Sequence, residues 1–381
     1  MRARQCVFRL CLVARLVASC CALVPPVPAG RAQFLGAGHA RAAGFLSAGS
    51  RSYCVQPGGT GQVRPERERE REDALLETVA LSKEAFAKWN TGRARYSQRK
   101  NKTYVERRAA GASDPARDPR VEAALASTGF EALTREAVLA YDPAQFQLAE
   151  AVLEMIAGAE PRVHSTGLSA LHLAFDASWD RGKSFKPHRR KVNGQLYLSE
   201  HGALLRREFE RFVCDFIGPH MQAHIPDCRQ LFFERTPSVR MQPPSIARVG
   251  YPHSDSMYFH QRGQINFWVP ITPVFGTNTL WVESRPGRHD YHALELGLGE
   301  CVRFYGNQCM HFTVPNDTPH TRVSLDLRVV PGPCFEDDPP EGRSADGQAM
   351  FRVGGYYAVA QFDETASTWS LAETVPDPAT A

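Results

Sequence analysis

From residue 232 onward the chain changes period. Val239 and Met241 alternate with Arg240 and Gln242. Ile265, Phe267 and Val269 alternate with Asn266 and Trp268, and Val323, Leu325 and Leu327 with Arg322, Ser324 and Asp326. Successive side chains on a strand point to opposite faces, so each run has one apolar face and one of different character. Turn-forming residues separate the runs: Pro243-Pro244, Arg262-Gly263, Phe275-Gly276, Arg285-Pro286-Gly287, Tyr305-Gly306-Asn307 and Asn316-Asp317. Many short strands at this spacing, after a helix-patterned N-terminal half, predict an α+β chain. Its core would be a double-stranded β-helix, a jelly roll of the cupin kind, buttressed by N-terminal helices.

The same strand-patterned region carries His253-Ser254-Asp255, then His311 56 residues after Asp255, then Arg322-Val323-Ser324. Two imidazoles and one carboxylate can bind one face of an octahedral Fe(II) and leave positions open for a co-substrate and O2. In extended chain, residues i and i+2 point the same way, so a short His-x-Asp segment can grip one metal twice.

Composition narrows the alternatives. Residues 1–64 hold eight Arg and no Asp, Glu or Lys. The net charge of +4 therefore hides a body with 37 basic and 41 acidic groups, which argues against nucleic acid as a partner. No run of about 20 uncharged apolar residues suggests a transmembrane segment. The ten Cys follow neither a disulfide framework nor a zinc spacing and read as reduced thiols.

Five segments are expected. Residues 1–64 form a disordered targeting leader, Arg-rich and acid-free, addressed to an organelle, a plastid before a mitochondrion. Residues 65–120 form a charged helical extension and linker, and 121–230 a helical support region. Residues 231–335 form the β-helix core, and 336–381 a C-terminal extension packing on it. Within the support region a helix is expected from Asp142-Pro143, with Gln145 completing a capping box, to a stop at Gly158. A second helix carries Leu205, Phe209, Phe212, Val213 and Phe216 on one face. The basic stretch 181–191 between them reads as a solvated loop in preference to a loop that meets an anionic substrate.

Tyr251-Pro252-His253-Ser254-Asp255-Ser256, Gly263 to Thr272, Thr277 to Gly287, and Gly306 to Val329 together resemble the iron- and 2-oxoglutarate-dependent dioxygenases. The branch is that of the StrG-like proteins of streptomycin biosynthesis, related to the phytanoyl-CoA dioxygenase group. The resemblance covers about residues 195–360, including Gly354-Gly355-Tyr356-Tyr357, and does not reach 1–120. It implies that His253, Asp255 and His311 hold iron and that Arg322, helped by Ser324, holds the far carboxylate of 2-oxoglutarate. Asn266 and Trp268 would contact the co-substrate, with Arg240 and Gln242 as weaker pocket candidates. Glu283 to His289 departs from the Gly-Ser-His that ends the corresponding strand in phytanoyl-type enzymes, so substrate contacts there need not carry over.

The expected activity is hydroxylation or oxidation of a small organic metabolite with Fe(II), O2 and 2-oxoglutarate, releasing succinate and CO2. No obligate protein partner is expected. A cupin-type metalloprotein without 2-oxoglutarate and a non-catalytic jelly roll are the alternatives; the first needs no Arg322, the second no intact His/Asp/His set. His311 is preferred to His320 as distal ligand on hairpin geometry. A turn centred on Asn316-Asp317 would set His311 opposite Arg322 and His320 opposite Thr313.

Overall fold

The computed structural model describes residues 118–250, 252–337 and 350–372. The expected leader and nearly all of the charged helical extension and linker lie outside the described residues.

The N-terminal half is helical: α1 (Pro119–Leu125), α2 (Thr128–Leu133), α3 (Leu148–Ala157), α4 (Val163–Thr166), α5 (Leu171–Phe175), α6 (Lys186–Lys191), α7 (Ala203–Phe212) and α8 (Gly218–His224). Local chemistry starts the first two. Asp118 accepts from the Arg120 backbone N–H with Pro119 at the first helical position, and Ser127 accepts from Phe130 N–H. The expected start of α3 at Asp142-Pro143 is corrected. Asp142 caps only an isolated turn, accepting from Ala144 N–H, and the helix begins at Leu148. Phe146 decides this. It packs edge-on against Tyr141 and Phe212, and Gln147 N–H is drawn off to the Glu208 carboxylate. Gly158 does end α3, and a side chain there would collide with the His201 ring. Leu205, Phe209, Phe212 and Val213 are buried on α7 and the wide turn that extends it. In the basic stretch, the expected loop contains the short helix α6, which buries no residue; Arg181 clasps Asn316 O and Asp317 instead.

Eleven strands are described: β1 (Ala137–Ala140), β2 (Gln230–Glu234), β3 (Ser238–Gln242), β4 (Ile265–Pro270), β5 (Trp281–Val282), β6 (His292–Ala293), β7 (Glu300–Phe304), β8 (His311–Phe312), β9 (Arg322–Pro331), β10 (Tyr357–Asp363) and β11 (Thr368–Leu371). The major sheet runs β1-β7-β4-β9-β2-β10-β11, with β3 also on β9; the minor sheet runs β6-β5-β8. A bridge between His253 and His311 adds a fourth rung to the minor sheet. All ladders are antiparallel. From β3 to β9 the chain passes from the major sheet to the minor at His253, back at β4, over at β5 and β6, back at β7, over at β8 and back at β9. This winding is the double-stranded β-helix. β3 and β2 follow one another along the same edge of β9, separated at Pro237, which has no N–H to give a ladder.

Alternation sorts the two faces. Ile265, Phe267, Val269, Val323, Leu325, Leu327 and Val329 join one core with the helices, including Val152, Met155, Phe209 and Met221. The opposite face of β4 and β9 looks toward the minor sheet, so it is covered as well. That is why every residue of β4 is buried, polar Asn266 included. Arg303 on β7 locks helices to sheet. Its guanidinium donates to Ala132 O, Arg135 O and the Nε2 atoms of His220 and His224. β1 from the support region and β10 and β11 from the C-terminal extension are hydrogen-bonded into the major sheet. No helix among the described residues is long and apolar enough to cross a membrane.

Candidate metal and co-substrate site

His253, Asp255 and His311 each turn one ligand atom inward, all within 4.8 Å of one another. Among the described residues this is the one such His/Cys/Asp/Glu group. The two-residue spacing works differently from the extended segment expected. His253 exchanges both backbone bonds with His311 (3.1 and 2.9 Å), whereas Asp255 opens a 3₁₀ turn, its N–H donating to Gly306 O at 2.8 Å. Asp255 Oδ1 ends 3.9 Å from His253 Nε2 and 3.8 Å from His311 Nε2. His311 Nδ1 faces Cys309 O at 3.0 Å, which fixes the proton on Nδ1 and leaves the Nε2 lone pair facing Asp255.

Asp255 is 1% exposed. Burial alone would raise its pKa, but Arg328, then His311 and His260, more than reverse this, and the carboxyl stays ionised well below its ordinary range. Its Oδ2 accepts from Gln264 Nε2 (3.0 Å), Asn266 Nδ2 (2.6 Å) and Arg328 Nε (2.9 Å). Gly306 makes the Asn266 contact possible, since a Cβ there would lie 2.5 Å from Asn266 Nδ2.

His253 and His311 open on a cavity between the sheets, lined also by Asn266, Trp268, Phe304, Phe312, Arg240 and Arg322. Arg322 is 2% exposed, with its Nε and Nη1 unpartnered and its guanidinium 5.8 Å from the Trp268 ring. Burial lowers its pKa to about 10, so it remains charged at neutral pH. A buried cation with open donors calls for an anion.

The expected site residues separate into groups. His253, Asp255 and His311 meet, and Asn266, Trp268 and Arg322 line the same cavity. Ser324 is buried outside the lining, its hydroxyl accepting the Trp268 indole N–H at 3.1 Å; it braces the indole that flanks Arg322. Arg240 lines the cavity, paired with Asp326 at 2.7 Å, whereas Gln242 is spent on Val314 O. The hairpin about Asn316-Asp317 is corrected. β8 pairs with β5 and β9 with β3 and β4, so His311 and Arg322 face each other from different sheets rather than across one ladder. The intervening segment is bonded elsewhere, Thr313 to Gly250, Asn316 to Gln242 and Thr321 to Ser169. His320 is exposed and outside the ligand group. Glu283, at the departure from the phytanoyl-type pattern, is buried and braces the ligand strand, accepting from Met310 N–H at 3.0 Å and His289 N–H at 2.6 Å.

Sequence reasoning missed Arg328 and its partner Glu234, 3.0 Å apart and both buried. The signal was present: Arg322, Ser324, Asp326 and Arg328 continue one alternating face of β9.

No protein-family model matches the chain. It is 33% identical over 127 residues to the streptomycin biosynthesis protein StrG of Streptomyces griseus, over 33% of this chain and 59% of that protein. The match thus spans little more than half of the curated relative. Among solved structures, EctD from S. alaskensis with 2-oxoglutarate and 5-hydroxyectoine shares 15% identity at a TM-score of 0.36, over 60% of this chain and 84% of that one. A non-heme monooxygenase, the ThoJ–Ni complex, shares 16% at 0.35 over 57% and 82%. The non-heme alpha-ketoglutarate-dependent epimerase SnoN from nogalamycin biosynthesis shares 15% at 0.32 over 55% and 84%. The fold rests on the sheet order, not on these scores.

Proposed function

We propose that this protein is an Fe(II)- and 2-oxoglutarate-dependent oxygenase that hydroxylates or otherwise oxidises a small organic metabolite. One observation carries the reading. His253 and His311, grouped with the Asp255 carboxylate as a possible ligand set, line the same cavity as a buried arginine with unpartnered donors. A bound Fe(II) would supply the activation of O2 and the oxidising power. The chain's own contribution is to hold and shape. His253, Asp255 and His311 would supply three ligand atoms on one side, and Arg322 would accept the far carboxylate of a chelating diacid. Trp268, Phe304 and Phe312 give the space between an apolar wall.

Charge balance supports the same reading. Asp255, Glu234, Arg322 and Arg328 cancel, so a dication alone would leave the buried site at +2, and a dianionic co-substrate restores neutrality. A cupin-type metal site without a carboxylate clamp gives Arg322 no role. Halogenation is disfavoured, because Asp255 supplies the third protein ligand and frees no position for a halide. Anaerobic titration of metal-loaded protein with 2-oxoglutarate tests the reading. Saturable binding that requires the metal is expected, and metal-loaded protein that ignores 2-oxoglutarate would end it.

The acid-free, Arg-rich composition of residues 1–64 supports an organellar address, plastid before mitochondrion. A fluorescent protein fused behind residues 1–64 that stays in the cytosol would contradict it.

A further inference from the structure

We infer that Arg328, anchored by Glu234, is a positioning residue that makes Asp255 a one-oxygen ligand and so keeps a coordination position open. The inference rests on the metal reading above and adds a geometric role for residues that reading counts only as charges.

The geometry of the carboxylate carries it. A carboxylate oxygen offers two in-plane lone pairs. Three donors converge on Asp255 Oδ2: Gln264 at 3.0 Å, Asn266 at 2.6 Å and Arg328 Nε at 2.9 Å. That oxygen has nothing left for a cation. Oδ1 receives Arg328 Nη2 at a longer 3.3 Å, and it is the atom facing both histidine Nε2 positions. The rotation of the carboxylate is therefore set from behind by donors on β4, β9 and the turn before β4.

Arg328 is the one charged member of that set, and a cation beside a metal site is unfavourable unless something offsets it. Glu234 offsets it. On the neighbouring strand β2, 6% exposed, its Oε2 accepts from Arg328 Nη1 at 3.0 Å. The guanidinium forks between the two carboxylates, Nε toward Asp255 and Nη1 toward Glu234. A lysine in its place, with a single point charge, could not make this planar fork.

The consequence is a matter of counting. An octahedral ion gives six positions. His253, His311 and one oxygen of Asp255 would take three, leaving three for co-substrates. Were both Asp255 oxygens to bind, one of those three would be lost. Arg328 and its companions thus act on co-substrate binding more than on metal binding.

The test uses full-length protein with Mn(II) and 2-oxoglutarate as probes. Three variants are compared with wild type: Arg328→Gln, the double change Arg328→Gln/Glu234→Gln, and Gln264→Met. The double change removes both charges of the pair and guards against a folding defect; Gln264→Met removes one neutral donor. In Mn(II)-loaded crystals, wild type is expected to bind through Oδ1 alone and the Arg328 variants through both oxygens. In solution the variants should hold Mn(II) as tightly as wild type or tighter, yet lose 2-oxoglutarate affinity by about tenfold or more, the scale of an outer-sphere partner. Gln264→Met should move in the same direction by less. A merely structural role would weaken both ligands together. Two-oxygen binding in wild type would overturn the inference, as would unchanged 2-oxoglutarate affinity in all three variants. Wild type that binds no metal would instead bring down the functional reading and this inference with it.

Discussion

Replacing Arg322 with methionine should stabilise the metal-free protein while removing its response to 2-oxoglutarate. Burial lowers the guanidinium pKa to about 10, a displacement equivalent to about 3 kcal/mol against the charged form in the folded state. The sign follows from the direction. A base whose pKa falls on folding destabilises the fold at every pH where it is charged in both states, and the penalty fades only as pH rises through about 10. At neutral pH it is present in full. Methionine keeps the apolar stem but loses the contact with the Trp268 ring, worth about 1 kcal/mol, so a net gain of about 2 kcal/mol is expected. A bound dicarboxylate would lose its buried charged partner, a loss of about 3–5 kcal/mol, or roughly two to three and a half orders of magnitude in Kd. Urea unfolding of metal-free protein measures the first effect, and the thermal shift of metal-loaded protein with added 2-oxoglutarate the second. A variant that is less stable by about 2 kcal/mol or more, or that keeps the 2-oxoglutarate shift, would refute the reasoning.

Other predictions follow from the same geometry. His311→Ala should lose metal binding in equilibrium dialysis, while His320→Ala, changed at an exposed position, should keep both metal and most activity. Asp255→Ala should abolish turnover, and product analysis of wild type in chloride buffer should find no chlorinated product. The His220 pKa is lowered to about 4 by burial first, then by Arg303 and His224, so the fold requires the neutral ring. Stability should then fall as pH drops from about 6.5 toward 4, by up to about 3 kcal/mol, and His220→Gln should flatten that slope in urea titrations. A chain starting at Glu66 should keep full activity, because none of the site residues lies before it.

The strand faces were legible because the alternation of Val239, Ile265 or Val323 with its neighbours is a property of the pleat itself. What alternation could not tell was that the second face is buried too. Only the pairing of two sheets turns Asn266, Arg322 and Arg328 from solvent-side residues into cavity residues. Arg328 escaped notice for this reason: it continues the pattern, and nothing in the stretch from Gly306 to Val329 sets it apart from a solvent-side arginine. The turn at Asn316-Asp317 was legible as a turn, but turn chemistry does not say whether the flanking segments pair. Here they go to different sheets, because Gly250, Gln242 and Ser169 hold the intervening backbone. The start of α3 failed for a related cause, an aromatic cluster overriding a good local cap. β1, four apolar residues, has no period of its own and is a strand only because Cys301 and its neighbours offer an edge.

A cavity that joins a ligand set for iron to a clamp for a 2-oxo diacid should turn over 2-oxoglutarate. Product formation from 2-oxoglutarate, with Fe(II), in air, with and without a metabolite extract, measures this. Succinate and CO2 are expected in equal amounts, dependent on iron and O2, increased by extract, and absent from Asp255→Ala and Arg322→Met protein. Iron-loaded wild-type protein that releases no succinate even with extract, or Arg322→Met protein that releases it at the wild-type rate, would contradict the account.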